Sequence, residues 1–572
     1  MSTSRLDLNR PLGRRAVLAT GTAGAGLATV TAPTPTAATP GTVGAAGAAY
    51  FRHGVASGDP LPDAVVIWTR VTPTSDSAPG SGRGPRVKVT WEVATDRRFR
   101  TVVRRGSFET GGSRDHTVKV DVARLSPATW YFYRFTYRGA HSRVGRTRTA
   151  PAHDALPGHL RFGVVSCANL QAGWFGAYRG LAARDDLHAV LHLGDYLYEY
   201  GPGQYGYGSD NVDVRSHEPA HEMLSLADYR QRHAQYKRDR DLQDLHARYP
   251  WVVTWDDHEV TNDQWRDGAE NHQADEGEYL ARRARAHRAY DEWMPVRLDG
   301  TATLGDGDRL YRRLRFGQLA EISLLDLRTY RDQQVATTPS PVPNPDPATG
   351  DPDRSITGAR QLDWLKRSLS PDRPQWKIIG NPVMITPVDF GALPHDLLDP
   401  VNDVTGLLPR DGAPYNTDQW DGYTDDRREL FTHIRDHQVT DALFITGDIH
   451  SGWACELPYD ASTYPLGDSA GVEFVCSSVT SNNLKDITRS PARTTSVAVE
   501  EAIKANNRHI KYLNFDDHGF SVLDLTPQRA QMDWFVIGDR AEADTSVTWQ
   551  VSYATPTGTG RVVPASGPVG AR

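Results

Sequence analysis

The 572-residue chain is poor in cysteine, has no basic excess and has no long apolar run beyond its N-terminus. With only Cys167, Cys455 and Cys476, a disulfide-dense scaffold is excluded. Cys455 and Cys476 each close a predicted strand in one region. They either pair, which leaves Cys167 free, or all three are buried reduced thiols. No stretch after the first forty residues reaches the ~18 apolar residues of a membrane-spanning helix. With 64 basic and 71 acidic residues the net charge is −7, which argues against general or specific nucleic-acid binding. No internal repeat is visible, so a solenoid is excluded. Hydrophobic residues make up 38% of the chain, enough to bury a large core rather than leave it disordered.

Four kinds of segment are present. Residues 1–40 carry Arg14-Arg15, a weakly apolar Ala/Gly/Thr/Val run and a Pro/Thr/Ala end. This is the pattern of a twin-arginine signal peptide, and it predicts a secreted, cell-surface or periplasmic protein. Residues 48–150 contain short runs such as Val87-Lys88-Val89-Thr90-Trp91 and Trp130-Tyr131-Phe132-Tyr133, which alternate as strands of a β-sandwich do. From 158 to 552 strands alternate with helices, including helices over 226–246 and 278–293. Ala189-Val190-Leu191-His192-Leu193 and Trp251-Val252-Val253-Thr254-Trp255 are continuous enough for buried parallel strands. Residues 553–572 are rich in Gly, Pro and Thr and read as a flexible tail.

Four polar clusters directly follow apolar strands, where open α/β sheets build their sites. They are Ser166-Cys167-Ala168-Asn169, Gly194-Asp195-Tyr196-Leu197-Tyr198, Asp256-Asp257-His258-Glu259 with Asn262 beyond, and Gly447-Asp448-Ile449-His450. One Asp-x-His or Gly-Asp alone is an ordinary turn; four at strand ends point to a metal site. Asp195 has two oxygens and can bridge two ions. Tyr198 is either a core aromatic or a ligand. A phenol with pKa near ~10 ligates only where a strong Lewis acid strips its proton, which favours Fe3+ over Ca2+ or Mg2+. Cys167 and His450 suit a transition metal, and Asp257 and Asp448 suit a hard cation such as Ca2+.

Gly-Asp-x-x-Tyr, x-Asp-His-Glu and Gly-Asp-x-His together resemble the calcineurin-like metallophosphoesterases, and within them the PhoD-type alkaline phosphatases. Supporting stretches include His53-Gly54-Val55-Ala56-Ser57-Gly58-Asp59-Pro60, Asp326-Leu327-Arg328-Thr329-Tyr330-Arg331 and Trp420-Asp421-Gly422-Tyr423. The resemblance implies an α+β and α/β fold: a four-layer α/β/β/α domain preceded by an immunoglobulin- or fibronectin III-like β-sandwich. It implies Fe3+ held by Cys167, Asp195, Tyr198 and His450, and Ca2+ faced by Asp195, Asp257 and Asp448, with Asn262 a further candidate. The Cys-containing first motif and the Asp-Asp-His-Glu third motif depart from the wider superfamily and speak against a plain di-zinc or di-manganese site.

The chemistry expected is in-line attack of a metal-bound hydroxide on the phosphorus of a phosphomonoester or phosphodiester. His258 either protonates the leaving oxygen or holds Asp257, and both Asp257 and His258 are catalytic candidates. Arg179 and Arg328 are phosphate-clamp candidates by residue type alone. A phospholipid or cell-wall polymer is a possible substrate, and the protein is expected to be a monomer. Two rivals remain at this stage: an iron-dependent phospholipase D that releases choline from phosphatidylcholine, and a non-enzymatic surface-binding protein. The loops 201–219 and 394–423 are expected to border the site.

Overall fold

The computed structural model describes residues 45–303, 309–335, 347–390 and 413–570. Residues 1–40, expected to be an export signal, and most of the 394–423 loop lie outside them.

Two mixed sheets form the body. In the larger, ten-stranded sheet the strands Leu160–Val165, Ala189–Leu193, Pro250–Thr254 and Val55–Gly58 run side by side and parallel. In the seven-stranded sheet the parallel set is Ala320–Leu324, Trp376–Asn381, Ala442–Thr446 and Ser469–Val475. All five residues of Ala189–Leu193, Pro250–Thr254 and Ala442–Thr446 are buried, as continuous apolar strands require.

The facing sides of the two sheets share one core. Phe162, Val164, Leu191 and Leu193 come from the first sheet, and Ile322, Ile378, Leu443, Ile445 and Phe474 from the second. A second cluster backs the larger sheet with Tyr178, Leu181, Tyr229, Leu245 and Tyr290 from helices Gly176–Ala183, Leu226–Tyr236, Arg240–Arg248 and Tyr279–Trp293. A third backs the smaller sheet with Leu362, Leu365, Leu430 and Ile434 from helices Ala359–Ser368 and Thr424–Asp436. Truncating a core residue such as Leu191 to Ala would cost about 2–5 kcal/mol.

Two expectations need correction. The helix expected over 226–246 is two helices, because the Asp239 carboxylate caps the second by accepting the Leu242 N–H at 2.9 Å. The 48–150 region packs as two opposed β layers. Its strands Val87–Ala94, Val102–Thr110 and Trp130–Tyr137 form a five-stranded sheet with two short partners. The opposing layer, Val55–Gly58, Ala64–Arg70 and Thr117–Ala123, is the edge of the ten-stranded sheet, joined through Ser57 and Gly58 beside Pro250 and Trp251. Val65, Ile67, Val89, Val118, Tyr131 and Phe135 fill the space between.

Residues 553–570 of the tail also carry structure. The strand Val547–Pro556 crosses the expected boundary at 552 and pairs along Arg529–Ile537. The Val569 N–H then reaches Asp533 at 2.8 Å. All three cysteines are free and buried. Cys455 and Cys476 cannot pair because Cys476 points into the inter-sheet core and Cys455 into a separate cluster with Met384 and Trp453. Among the described residues no helix is long and apolar enough to cross a membrane.

Candidate metal centre

The four polar clusters converge from both sheets. Cys167 follows Leu160–Val165, Asp195 follows Ala189–Leu193, Asp256 and Asp257 follow Pro250–Thr254, and Asp448 and His450 follow Ala442–Thr446. The strand ends meet closely. A Cβ on Gly194 would lie 2.5 Å from Asp256 Cβ, and one on Gly447 would lie 2.7 Å from Ser166 Cβ, so both positions demand glycine. Cys167, Asp195, Asp448 and His450 all have left-handed backbones, with φ of 59°, 53°, 62° and 55°. Non-glycine residues hold that conformation where the surroundings force it, and such residues cluster at functional sites.

Three overlapping donor groups result. Cys167, Asp195 and His450 can share one ion; so can Asp195, Asp257 and His258; so can Asp256, Asp257 and Asp448. Asp195 and Asp257 each belong to two groups. Tyr198 joins the first, its hydroxyl donating to Asp195 Oδ2 at 2.8 Å and lying 3.4 Å from His450 Nε2. The other oxygen, Asp195 Oδ1, is buried with no hydrogen-bond partner. A buried, unpaired carboxylate oxygen among these donors is what a cation would satisfy, so the residues fit a metal.

Several residues act behind the donors. Glu259 accepts the backbone N–H groups of Asp195 (3.1 Å) and Asp256 (2.8 Å), tying two strand ends together. Glu199 Oε2 takes His258 Nδ1 at 2.7 Å, which turns the other imidazole nitrogen toward Asp195 and Asp257. Burial opposes charge on His258, but Asp257, Glu199 and Asp195 outweigh it and hold its pKa well above the ordinary value. Burial, helped by the charges of His258, His518 and Arg540, pushes His450 down to about 3, so its imidazole stays neutral and free to donate a lone pair. Burial, then neighbouring carboxylates, keep Asp448 well above the usual carboxylate range without a cation.

The clamp candidates divide. Arg328 is at the site, with no side-chain exposure, but its guanidinium is spent on carboxylates. It lies 3.0 Å from Asp256 Oδ2, 2.9 Å from Asp418 and 3.3 Å from Asp448. These contacts balance charge between the acids. Arg179 is not brought to the site. It donates to the backbone carbonyls of Ala543 and Thr545 and faces Asp241 at 3.6 Å. Asn262 gives its backbone N–H to Glu199 (2.8 Å) and its side-chain N–H to Glu270 (3.2 Å). Sequence reasoning missed Asp256 as a donor and missed Glu199, Glu259 and Asp418. The Asp-Asp-His-Glu run pointed to two of these; Asp418, ninety positions from Arg328, carried no local signal.

The comparisons agree along the chain. The family described as PhoD-like phosphatase matches residues 162–534, and the one described as PhoD-like phosphatase, N-terminal domain, matches residues 36–151. The chain is 35% identical over 504 residues to alkaline phosphatase D of Bacillus subtilis (strain 168), covering 88% of this chain and 80% of that protein. It is similar to a solved structure of PhoD with a TM-score of 0.79 and 33% identity, over 91% of this chain and 93% of the other.

Proposed function

We propose, because this chain belongs to the PhoD-like phosphatase family and is a phosphatase, that it hydrolyses phosphomonoesters and phosphodiesters at a two-metal centre bridged by Asp195. The observation that carries this reading is Asp195 itself: it is shared by two donor groups, has a left-handed backbone and keeps one oxygen buried and unpaired. The thiol, phenol, imidazole and carboxylate of Cys167, Tyr198, His450 and Asp195 suit Fe3+. The oxygens of Asp256, Asp257 and Asp448 suit Ca2+, with Asn262 a peripheral member at most. When bound, such ions lower the pKa of a coordinated water and offset charge on the phosphoryl oxygens.

The protein groups do the rest. Glu259 fixes the two strand ends that present Asp195 and Asp256. Glu199 orients His258 so that its free nitrogen can give a proton to the leaving oxygen. Arg328 and Arg331 keep Asp256, Asp257, Asp418 and Asp448 from repelling one another. Two helix-backed sheets around a shared core support the four-layer reading. The Arg14-Arg15 segment supports export through the twin-arginine route.

The test is hydrolysis of p-nitrophenyl phosphate and bis-p-nitrophenyl phosphate by the purified protein, beside Asp195→Asn. Both substrates should turn over, and the variant should be inactive while folded. An active Asp195→Asn protein would place the chemistry elsewhere.

A further inference from the structure

Three consecutive residues, Thr480, Ser481 and Asn482, reach three of the four donors of the mixed group. The Cys167 carbonyl accepts the backbone N–H groups of Thr480 and Ser481, each at 3.2 Å. The Ser481 hydroxyl donates to the Tyr198 phenol oxygen at 2.6 Å. The Asn482 carbonyl lies 2.7 Å from His450 Nδ1. A carbonyl only accepts, so Nδ1 carries the hydrogen and the lone pair is on Nε2, the nitrogen facing Tyr198. Ligand imidazoles are commonly fixed in this way, through a hydrogen bond from the nitrogen that does not bind.

The segment is itself locked from behind. Arg540, 2% exposed at its side chain, donates to the Thr480 carbonyl at 2.5 Å and to Asn482 Oδ1 at 2.6 Å, and pairs with Asp486 at 3.0 Å. Asn482 ties the segment to a second loop: Oδ1 also accepts the Gly208 N–H (3.0 Å) and Nδ2 donates to the Gly206 carbonyl (2.9 Å). The Arg540 guanidinium sits 4.7 Å from the Tyr207 ring centre in the same loop. That loop carries Tyr205, whose ring stacks near Tyr198 and His258 and whose hydroxyl lies 3.4 Å from His450 Nδ1.

A rival reading is a second nucleophilic site. Ser478 Oγ is 2.9 Å from His518 Nδ1, and His518 Nε2 is 2.9 Å from Asp486. But Ser478 is fully buried and its hydroxyl donates to the Ser481 carbonyl. The trio therefore braces the same segment from below.

We infer that Arg540 and Asn482 are positioning residues for phosphoester hydrolysis: they clamp the 480–482 segment so that Cys167, Tyr198 and His450 face one ion, and they seat the Tyr205 loop over it. The inference rests on the metal-centre reading above.

The test compares Arg540→Met, Arg540→Lys and Asn482→Ala with the unaltered full-length protein and with His450→Ala. Bound ion per folded chain is followed by elemental analysis through graded dialysis against EDTA. Kinetics on p-nitrophenyl phosphate and a melting curve accompany it. Arg540→Met and Asn482→Ala should release their ion at ~10–100-fold lower chelator and lose kcat, with KM rising as the Tyr205 loop loosens. Arg540→Lys, which keeps the charge but not the fork, should recover part of the loss. Should Arg540→Met fail to fold, Asn482→Ala decides alone. A lower melting temperature with unchanged ion retention and kcat in the folded variants would overturn the inference, by reducing the clamp to a purely structural role. If His450→Ala keeps its ion and its activity, the metal-centre reading itself fails; if it loses both while the clamp variants keep them, only this inference fails.

Discussion

The two halves of the centre are built from opposite kinds of donor. On one side a thiol, a phenol and an imidazole surround a single carboxylate, Asp195, and Arg232 reaches this group only at the Tyr198 backbone carbonyl, not at a donor atom. On the other, Asp256, Asp257 and Asp448 crowd together with Arg328 among them and Arg331 one step behind, joined through Asp418. The first half needs no internal counter-ion because its thiol, phenol and imidazole are neutral until an ion arrives. Burial keeps Cys167 and Tyr198 protonated, and His450 neutral. The second half crowds three largely buried carboxylates, so it carries arginines that offset the charge remaining on them without an ion. Donor softness, not position in the fold, separates the two donor groups of the proposed centre, and Asp195 would couple them.

Asp195→Asn should break both halves at once, lowering kcat by ~10³-fold or more, measured on p-nitrophenyl phosphate. Tyr198→Phe should strike only the mixed half. It should remove any visible charge-transfer absorption and cost about 10²-fold in kcat, while the carboxylate half still binds its cation in a titration followed by melting temperature. His258→Asn should keep both ions and lose about 10²-fold, most on substrates with poor leaving groups, because a proton donor matters least when the leaving oxygen is already acidic. Arg328→Met should do the reverse of a metal-ligand change. The folded protein should be destabilised by about 3–5 kcal/mol without added divalent cation, and much of that should return with millimolar Ca2+ in a thermal melt.

The smallest effect concerns pH and tests whether the site, rather than the whole core, sets acid sensitivity. Burial holds His188, His192 and His287 down to about 3, against about 6.5 in an unfolded chain. Between those values the unfolded chain binds more protons than the folded one, so stability falls as pH drops below 6.5. The melting temperature should therefore decline from pH 7 to pH 5 even in the Asp195→Asn protein.

The strand ends carrying the donors were legible because continuous apolar runs such as Ala189–Leu193 stop abruptly at polar residues. What lay outside reach was long-range partnering. Glu199 and His258 are 59 positions apart, and Arg328 and Asp418 are 90 apart, so neither pairing leaves a local pattern. Arg179 shows the converse failure: residue type alone suggested a phosphate clamp, while its helix aims it at the carbonyls of 543 and 545. The strand Val547–Pro556 was hidden by polar composition, because it lies near a sheet edge where alternation is weak and its pairing with Arg529–Ile537 and Val563–Pro564 defines it. The 48–150 region read correctly as strands. Its fusion to the larger sheet through Ser57 beside Pro250 is a contact across nearly two hundred residues.

The most direct test of a mixed centre is elemental analysis of the purified, active protein, with no metal added after growth. About one iron per chain together with calcium, lost in parallel with activity on chelation, is the expected result. Full activity with zinc or manganese in both positions, or with no stoichiometric metal, would contradict it.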